Sequence, residues 1–380
     1  MARMTRRERL SAIFAGRTPD RPAVKIWGAD PRWPCAQPGF ERVRQCALAK
    51  TDLFLGSGSP FHIYAGQHAA RLIESKEEPT PSPDWVHVVT TWHTPQGDLR
   101  EVFIKSTRGK PGYEHEYLLK EPGDIRRLLS LPYEPFPFDA KAYRETDACV
   151  GDKGMAMFGL DHAMYAVQRL IGSENFALWS LTDDDLLLEA MRVFAGRTLA
   201  HVRAAVEAGI GSAVFGWVGP ELCIPPLMSP AAFDRYVTAL DKPVIDAVHN
   251  AGGRIWVHCH GKMRPVIGRF ADMGVDVLNP IEPPPMGDLT MAEAFATVGD
   301  RMGLEGGVET HDLMTAPTER IRAMVHAVLD AGRHRRLILC PSSGYTESVT
   351  PTEHEIDNWL HFIDEGVRYA EAMAAGGVLP

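Results

Sequence analysis

No stretch of about 18 consecutive apolar residues occurs in this chain, so the sequence offers no membrane span. There is no long basic run, and the net charge is −9, which argues against nucleic acid as a partner. The basic start Met1-Ala2-Arg3-Met4-Thr5-Arg6-Arg7 is not followed by an apolar core, so no secretory signal is expected. Cysteine is sparse: six residues, at positions 35, 46, 149, 223, 259 and 340, form no framework of close pairs. That scatter points to a reducing compartment, the cytoplasm, where thiols serve packing, metal binding or reactivity. Internal repeats and low-complexity segments are absent too.

What remains is an ordinary globular composition, 45% hydrophobic and 23% charged over 380 residues, enough for a large core. Thr5 followed by Glu8 reads as a capping box that opens a first helix ending near Gly16. Short apolar runs then alternate with amphipathic segments. The strand candidates are Ala23–Trp27, Asp52–Gly56, Met155–Gly159, Ser212–Trp217, Arg254–Cys259, Val275–Asn279, Arg301–Glu305 and Arg336–Cys340. Helical patterns fill most gaps, as in Pro230–Ala251, Met263–Met273, Thr318–Gly332 and Pro351–Ala375. Eight strands alternating with helices predict an α/β fold, a closed (β/α)8 TIM barrel, with an open doubly wound sheet as the competitor. Trp85–Thr94 and Asp98–Ser106 flank Pro95-Gln96-Gly97 and read as an inserted β-hairpin near 85–106. One domain over 1–380 is expected, because barrels of this length commonly form one.

The chemistry gathers around His258-Cys259-His260-Gly261, at the end of a strand candidate. Side chains alternate along a strand, so both histidines share a face and can grip one metal ion. Cys340, ending the last strand candidate, could add a third ligand; two His and one Cys suit Zn2+ and leave a position open for chemistry. The competing reading is a pair of hydrogen-bonded histidines and a small buried thiol. Barrel ligand sites lie at the C-terminal strand ends, where Glu221, Asn279, Glu282, Glu305, Asp161 and His162 are also expected. Glu221 would be a fourth ligand or a general acid, or else a helix cap; Cys223 could compete with it for the metal. Glu305 is a catalytic candidate because Gly306 and Gly307 would allow close ligand approach, or it could pair with a neighbouring Arg. Glu282 stands in a stiff proline-rich loop that could shape a pocket. Asp161 and His162 could orient substrate, and Trp27, Trp217 and Tyr345 could line an aromatic pocket, although large aromatics there are commonly core.

The chain resembles the uroporphyrinogen decarboxylase superfamily nearly end to end. The resemblance rests on Thr5-Arg6-Arg7-Glu8-Arg9 with Thr18-Pro19-Asp20-Arg21, on Thr94-Pro95-Gln96-Gly97, and on Leu227-Met228-Ser229-Pro230. It rests also on His249 with Gly252-Gly253 and on Thr350-Pro351. Lys25-Ile26-Trp27-Gly28-Ala29-Asp30-Pro31-Arg32 stands where the decarboxylase branch carries an Arg-rich "MRQAGR" motif and lacks it, which argues against porphyrinogen decarboxylation. The branch of zinc-dependent, corrinoid-linked methyltransferases carries H-x-C-G after the fifth strand and a Cys near the last. His258 and Cys340 match, while His260 replaces the first Cys.

The resemblance implies methyl transfer between a small methylated substrate and a corrinoid. No D-x-H-x-x-G motif is present, so the corrinoid (cobalamin) would come on a partner protein. With fewer thiolates the zinc would be a harder Lewis acid, suited to an oxygen ligand, so a methyl ether, aromatic or not, is the favoured donor and O-demethylation the favoured reaction. Two alternatives stand beside it: a metal-assisted decarboxylase or lyase, and a non-catalytic ligand-binding protein. Homo-oligomerisation is left open.

Overall fold

The computed structural model of the chain describes residues 3–35, 37–58, 63, 65–345 and 350–376. Among these residues twelve strands are present: β1 (Ala23–Val24), β2 (Leu53–Ser57), β3 (Ile73–Pro79), β4 (Trp85–Thr94), β5 (Gly97–Ser106), β6 (Tyr113–Glu116), β7 (Gly154–Gly159), β8 (Val214–Val218), β9 (Arg254–His258), β10 (Val277–Ile281), β11 (Gly303–Val308) and β12 (Leu337–Pro341). Eight of them form one parallel sheet in the order β1-β12-β11-β10-β9-β8-β7-β2. The sheet therefore winds round until its first and second strands are again neighbours, with helices in the crossovers, as a (β/α)8 barrel requires.

That last seam is held by one backbone bond and by the Asp52 side chain. The Asp52 N–H donates to the Val24 carbonyl at 2.7 Å, and the Val24 N–H donates to Asp52 Oδ2 at 2.9 Å. Arg9 Nη1 donates to Asp52 Oδ1 at 2.6 Å and Arg9 Nε to Asp20 Oδ1 at 2.8 Å, tying the first helix (Arg6–Phe14) to the seam. That helix carries the expected capping box of Thr5 and Glu8 and closes the bottom of the barrel. Its Leu10, Ile13 and Phe14 pack with Ala23, Phe54, Val214, Trp256, Val277 and Ile338 in an inner core. The larger outer core lies between strands and helices. Gly216 keeps the interior filled rather than blocked: a Cβ there would lie 2.2 Å from Met157 Sδ.

The inserted hairpin is present and larger than expected. β4 and β5 pair from Trp85↔Ser106 to Thr94↔Gly97, and β3 and β6 extend them to a four-stranded antiparallel sheet. β3 reads Ile73-Glu74-Ser75-Lys76-Glu77-Glu78-Pro79 and buries none of its residues, so no apolar alternation marks it. The helix expected over Pro230–Ala251 runs without a gap from Pro230 to Asn250, with a π-helical turn at Asp234–Thr238 inside it.

Candidate functional site

β9 ends at His258, which pairs in register with Asn279 of β10. Trp256 and Val277, two residues earlier on each strand, belong to the inner core, so His258 and Asn279 face the barrel interior. The chain leaves the strand at Cys259, whose side chain is fully buried, and His260 lies beside His258 with ring centroids 4.5 Å apart at 83°. Each imidazole is held by one nitrogen. His258 Nδ1 donates to Asn279 Oδ1 at 2.6 Å, and His260 Nδ1 donates to Glu282 Oε1 at 2.8 Å. Glu282 Oε2 also accepts from the Gly261 N–H at 2.8 Å. Both Nε2 atoms are thereby left with no partner among the described residues, and each is a lone-pair nitrogen when its ring is neutral, an arrangement typical of metal-ligating histidines and their outer partners.

The two rings differ in charge preference. Burial, the adjoining His260 and Lys25 push His258 down to about 4 against the Asn279 hydrogen bond, so it is neutral near pH 7. Burial also works against the charged form of His260, but Glu282, with Glu221 and Glu309 nearby, outweighs it and holds its pKa above the ordinary value. Glu221 follows β8 and is half-buried, with its Oε2 atom buried and unpartnered among the described residues. Burial lifts its carboxyl to about 7, against the pull of backbone N–H groups and of His162 and His260.

The other expected residues are divided. Trp27 stands edge-on to His258, with ring centroids 5.9 Å apart. Lys25, two residues before it on the β1 side, places Nζ 3.3 Å from the Trp27 ring centre and 2.5 Å from Glu305 Oε1. Glu305 is fully buried, accepts from Trp256 Nε1 at 2.9 Å, and lies below the mouth in the middle of β11. Its carboxylate is thus held in a buried ion pair with Lys25, the kind of charge pairing that stood as the alternative to a catalytic role. Cys340 follows Ile338 by two residues on β12 and shares its inward face, in register with Gly307, and its fully buried thiol lies close to Glu305 and Lys25. Burial pushes it well above its ordinary pKa, with Lys25 opposing and Glu305 adding to the rise. Among the described residues no three His, Cys, Asp or Glu side chains gather as a metal-holding group, so the His258–His260–Cys340 set is not assembled in this conformation.

His162 and Trp217 meet outside the sheet, matching the packing alternatives held beside their substrate-binding readings. His162 caps the helix Ala163–Thr182, accepting from the Tyr165 N–H, and its Nε2 donates to Asp241 Oδ2 at 2.8 Å. It stacks on Trp217, at 5.5 Å, in the outer core. Asp161 accepts from the Ile63 N–H at 3.1 Å. Tyr345 is also structural: its hydroxyl donates to the Gly28 carbonyl at 2.9 Å and its ring packs on Phe40 and Trp359. Cys223 is buried, and its thiol points to Met164 Sδ at 3.4 Å.

A cavity of about 980 Å³ opens beside His260, lined by Glu282, Met286, Glu309, Arg320 and Ser342 among others. Sequence reasoning missed Glu309. It follows β11, which runs to Val308 rather than stopping at Glu305. Gly306 lets the strand continue, because at φ +133° a Cβ there would lie 2.5 Å from the Ile281 amide nitrogen. The signal for Glu309 was its position shortly after the glycines, where a strand that runs through them would end.

Residues 119–366 match the family described as Uroporphyrinogen decarboxylase (URO-D). Over 197 residues the chain is 26% identical to a methylcobamide:CoM methyltransferase, MtaA, of Methanosarcina barkeri (strain Fusaro / DSM 804), covering 52% of this chain and 54% of that protein. A second MtaA of Methanosarcina barkeri matches to the same extent. The chain thus spans about half the length of the curated relatives it matches. A solved methyltransferase from Methanosarcina mazei shares the fold, with a TM-score of 0.58 at 17% identity over 96% of this chain and 99% of that one.

Proposed function

The chain belongs to the uroporphyrinogen decarboxylase family, and within it we propose that the protein is a zinc-dependent, corrinoid-linked methyltransferase acting as one domain over residues 1–380. The observation that carries this reading is the His258–His260 pair, anchored through both Nδ1 atoms with both Nε2 atoms left to a ligand. The partial likeness to MtaA supports methyl transfer as the reaction class. The donors fit zinc in type, two imidazoles with a carboxylate or thiol. Only the two histidines adjoin in this conformation, so Glu221 or Cys340 would have to turn toward them to complete the set.

When bound, zinc would supply Lewis acidity to the leaving atom of the methyl donor, and a corrinoid on a partner protein would exchange the methyl group. The chain's own residues bind and orient. Asn279 and Glu282 fix the two imidazole planes, and the low proton affinity of His258 keeps it a neutral donor. Glu221, with its carboxyl near 7, is poised to hold or give a proton at the mouth. The oxygen-bearing donor, a methyl ether of O-demethylation, follows from a site richer in nitrogen and oxygen than in sulfur. No helix among the described residues is long and apolar enough to cross a membrane, and a cytoplasmic setting agrees with the six free cysteines of the chain.

Product analysis tests the reaction class. The zinc-loaded protein is incubated with cob(I)alamin and, in turn, methoxyarenes, methanol and methylamines. Methylcobalamin is expected, most from the methoxyarenes. Carbon dioxide release from a carboxylated substrate, with no corrinoid methylation across that panel, would move the assignment to a decarboxylase.

A further inference from the structure

We propose that the cavity beside His260 takes a small neutral molecule bearing a hydroxyl group, and that Oε1 of Glu309 is the substrate-positioning atom that receives it. This deepens the reading of the mouth as a substrate site and rests on it. Glu309 is only 7% exposed and lines the cavity, yet Oε1 is buried with no partner among the described residues. A buried carboxyl oxygen left without a hydrogen bond is unfavourable, and a ligand's donor would relieve it.

The rest of that carboxyl is fixed. Oε2 accepts from Ser342 Oγ at 2.9 Å, and Ser342 Oγ accepts from the Thr310 N–H at 3.1 Å. Glu282, the neighbouring carboxylate, is already used by His260 and Gly261. Arg320 is paired with Asp312 at 3.2 Å, so the described wall has no uncommitted arginine or lysine to attract an anionic ligand. Burial raises the Glu309 carboxyl, the Ser342 hydrogen bond opposes, and the result is about 7. A hydroxyl suits both protonation states, because it can donate to the carboxylate or accept from the acid. Pro284, Pro285, Met286 and Ala316 give the cavity an apolar side for the remainder of such a molecule.

The test is binding of four probes to the full chain by calorimetry, without zinc or corrinoid: 2-methoxyphenol, methoxybenzene, 2-methoxybenzoate and 2-methoxybenzylamine. The wild type is expected to bind 2-methoxyphenol about tenfold more tightly than methoxybenzene, the value of one well-placed hydrogen bond. In Glu309→Ala that preference should fall to within about twofold while methoxybenzene binding is retained, and Glu309→Gln, which keeps an acceptor, should restore much of it. An unchanged preference in Glu309→Ala would overturn the proposal. So would tighter binding of the carboxylate or of the ammonium probe, or no binding of any probe by the wild type. Because no methyl group moves in this experiment, a failed methyl-transfer reading and a failed Glu309 assignment give separate results.

Discussion

Replacing His258 with alanine is expected to lower zinc affinity and methyl transfer by roughly 100-fold or more, since loss of an outer partner alone costs about 10–100-fold and His258 would be a direct ligand. The fold should survive. His258 ends β9, above the inner core of Trp256, Val277 and Ile338, and among the described residues its ring hydrogen-bonds to Asn279 alone. His260→Ala should act in the same way, whereas Asn279→Ala should cost less, because it frees the His258 ring without removing the donor. Competition for zinc against a chromogenic chelator reads the affinity, and a thermal melt of each variant reads the fold. Wild-type zinc affinity in His258→Ala would remove that residue from the site.

The largest stability effect is expected at Lys25 and Glu305, whose side chains are 1% and 0% exposed and 2.5 Å apart. Lys25→Met leaves a buried carboxylate without its counter-charge and should cost about 3–5 kcal/mol, read by denaturant unfolding. Pairing it with Glu305→Gln removes the orphan charge while keeping an acceptor for Trp256 Nε1, so the double variant should recover most of that loss. Equal losses in the single and double variants would show that packing, not the ion pair, carries the effect. The same measurement separates a structural role for Glu305 from a catalytic one, which would leave stability nearly untouched.

Much of the architecture was legible because parallel strands buried on both faces read as short apolar runs, and eight such runs alternate with helical patterns. The His258–His260 juxtaposition was legible because a single residue separates the two at a strand end, although β9 stops at His258 and His260 stands just beyond it. Residues whose placement depends on where a strand stops were less so. The glycines after Glu305 suggested a strand end, but β11 uses them to continue against Ile281, which sinks Glu305 into the barrel and brings Glu309 to the mouth. His162 and Trp217 illustrate a second limit. Both lie near strand ends in sequence, yet a capping bond and a stack commit them to the layer outside the sheet. Sequence spacing predicts that Cys340 faces the barrel interior, but not that its thiol lies close to Glu305 and Lys25 without joining the two histidines.

The most direct measurement of the central assignment is methyl transfer by the wild-type protein before zinc removal, after thorough chelation, and after zinc is returned. Methylcobalamin formation from a methoxyarene should fall to background without the metal and return with one equivalent of zinc per chain. Activity that persists undiminished after the zinc is gone would contradict the assignment of His258 and His260 to a zinc site that drives the reaction.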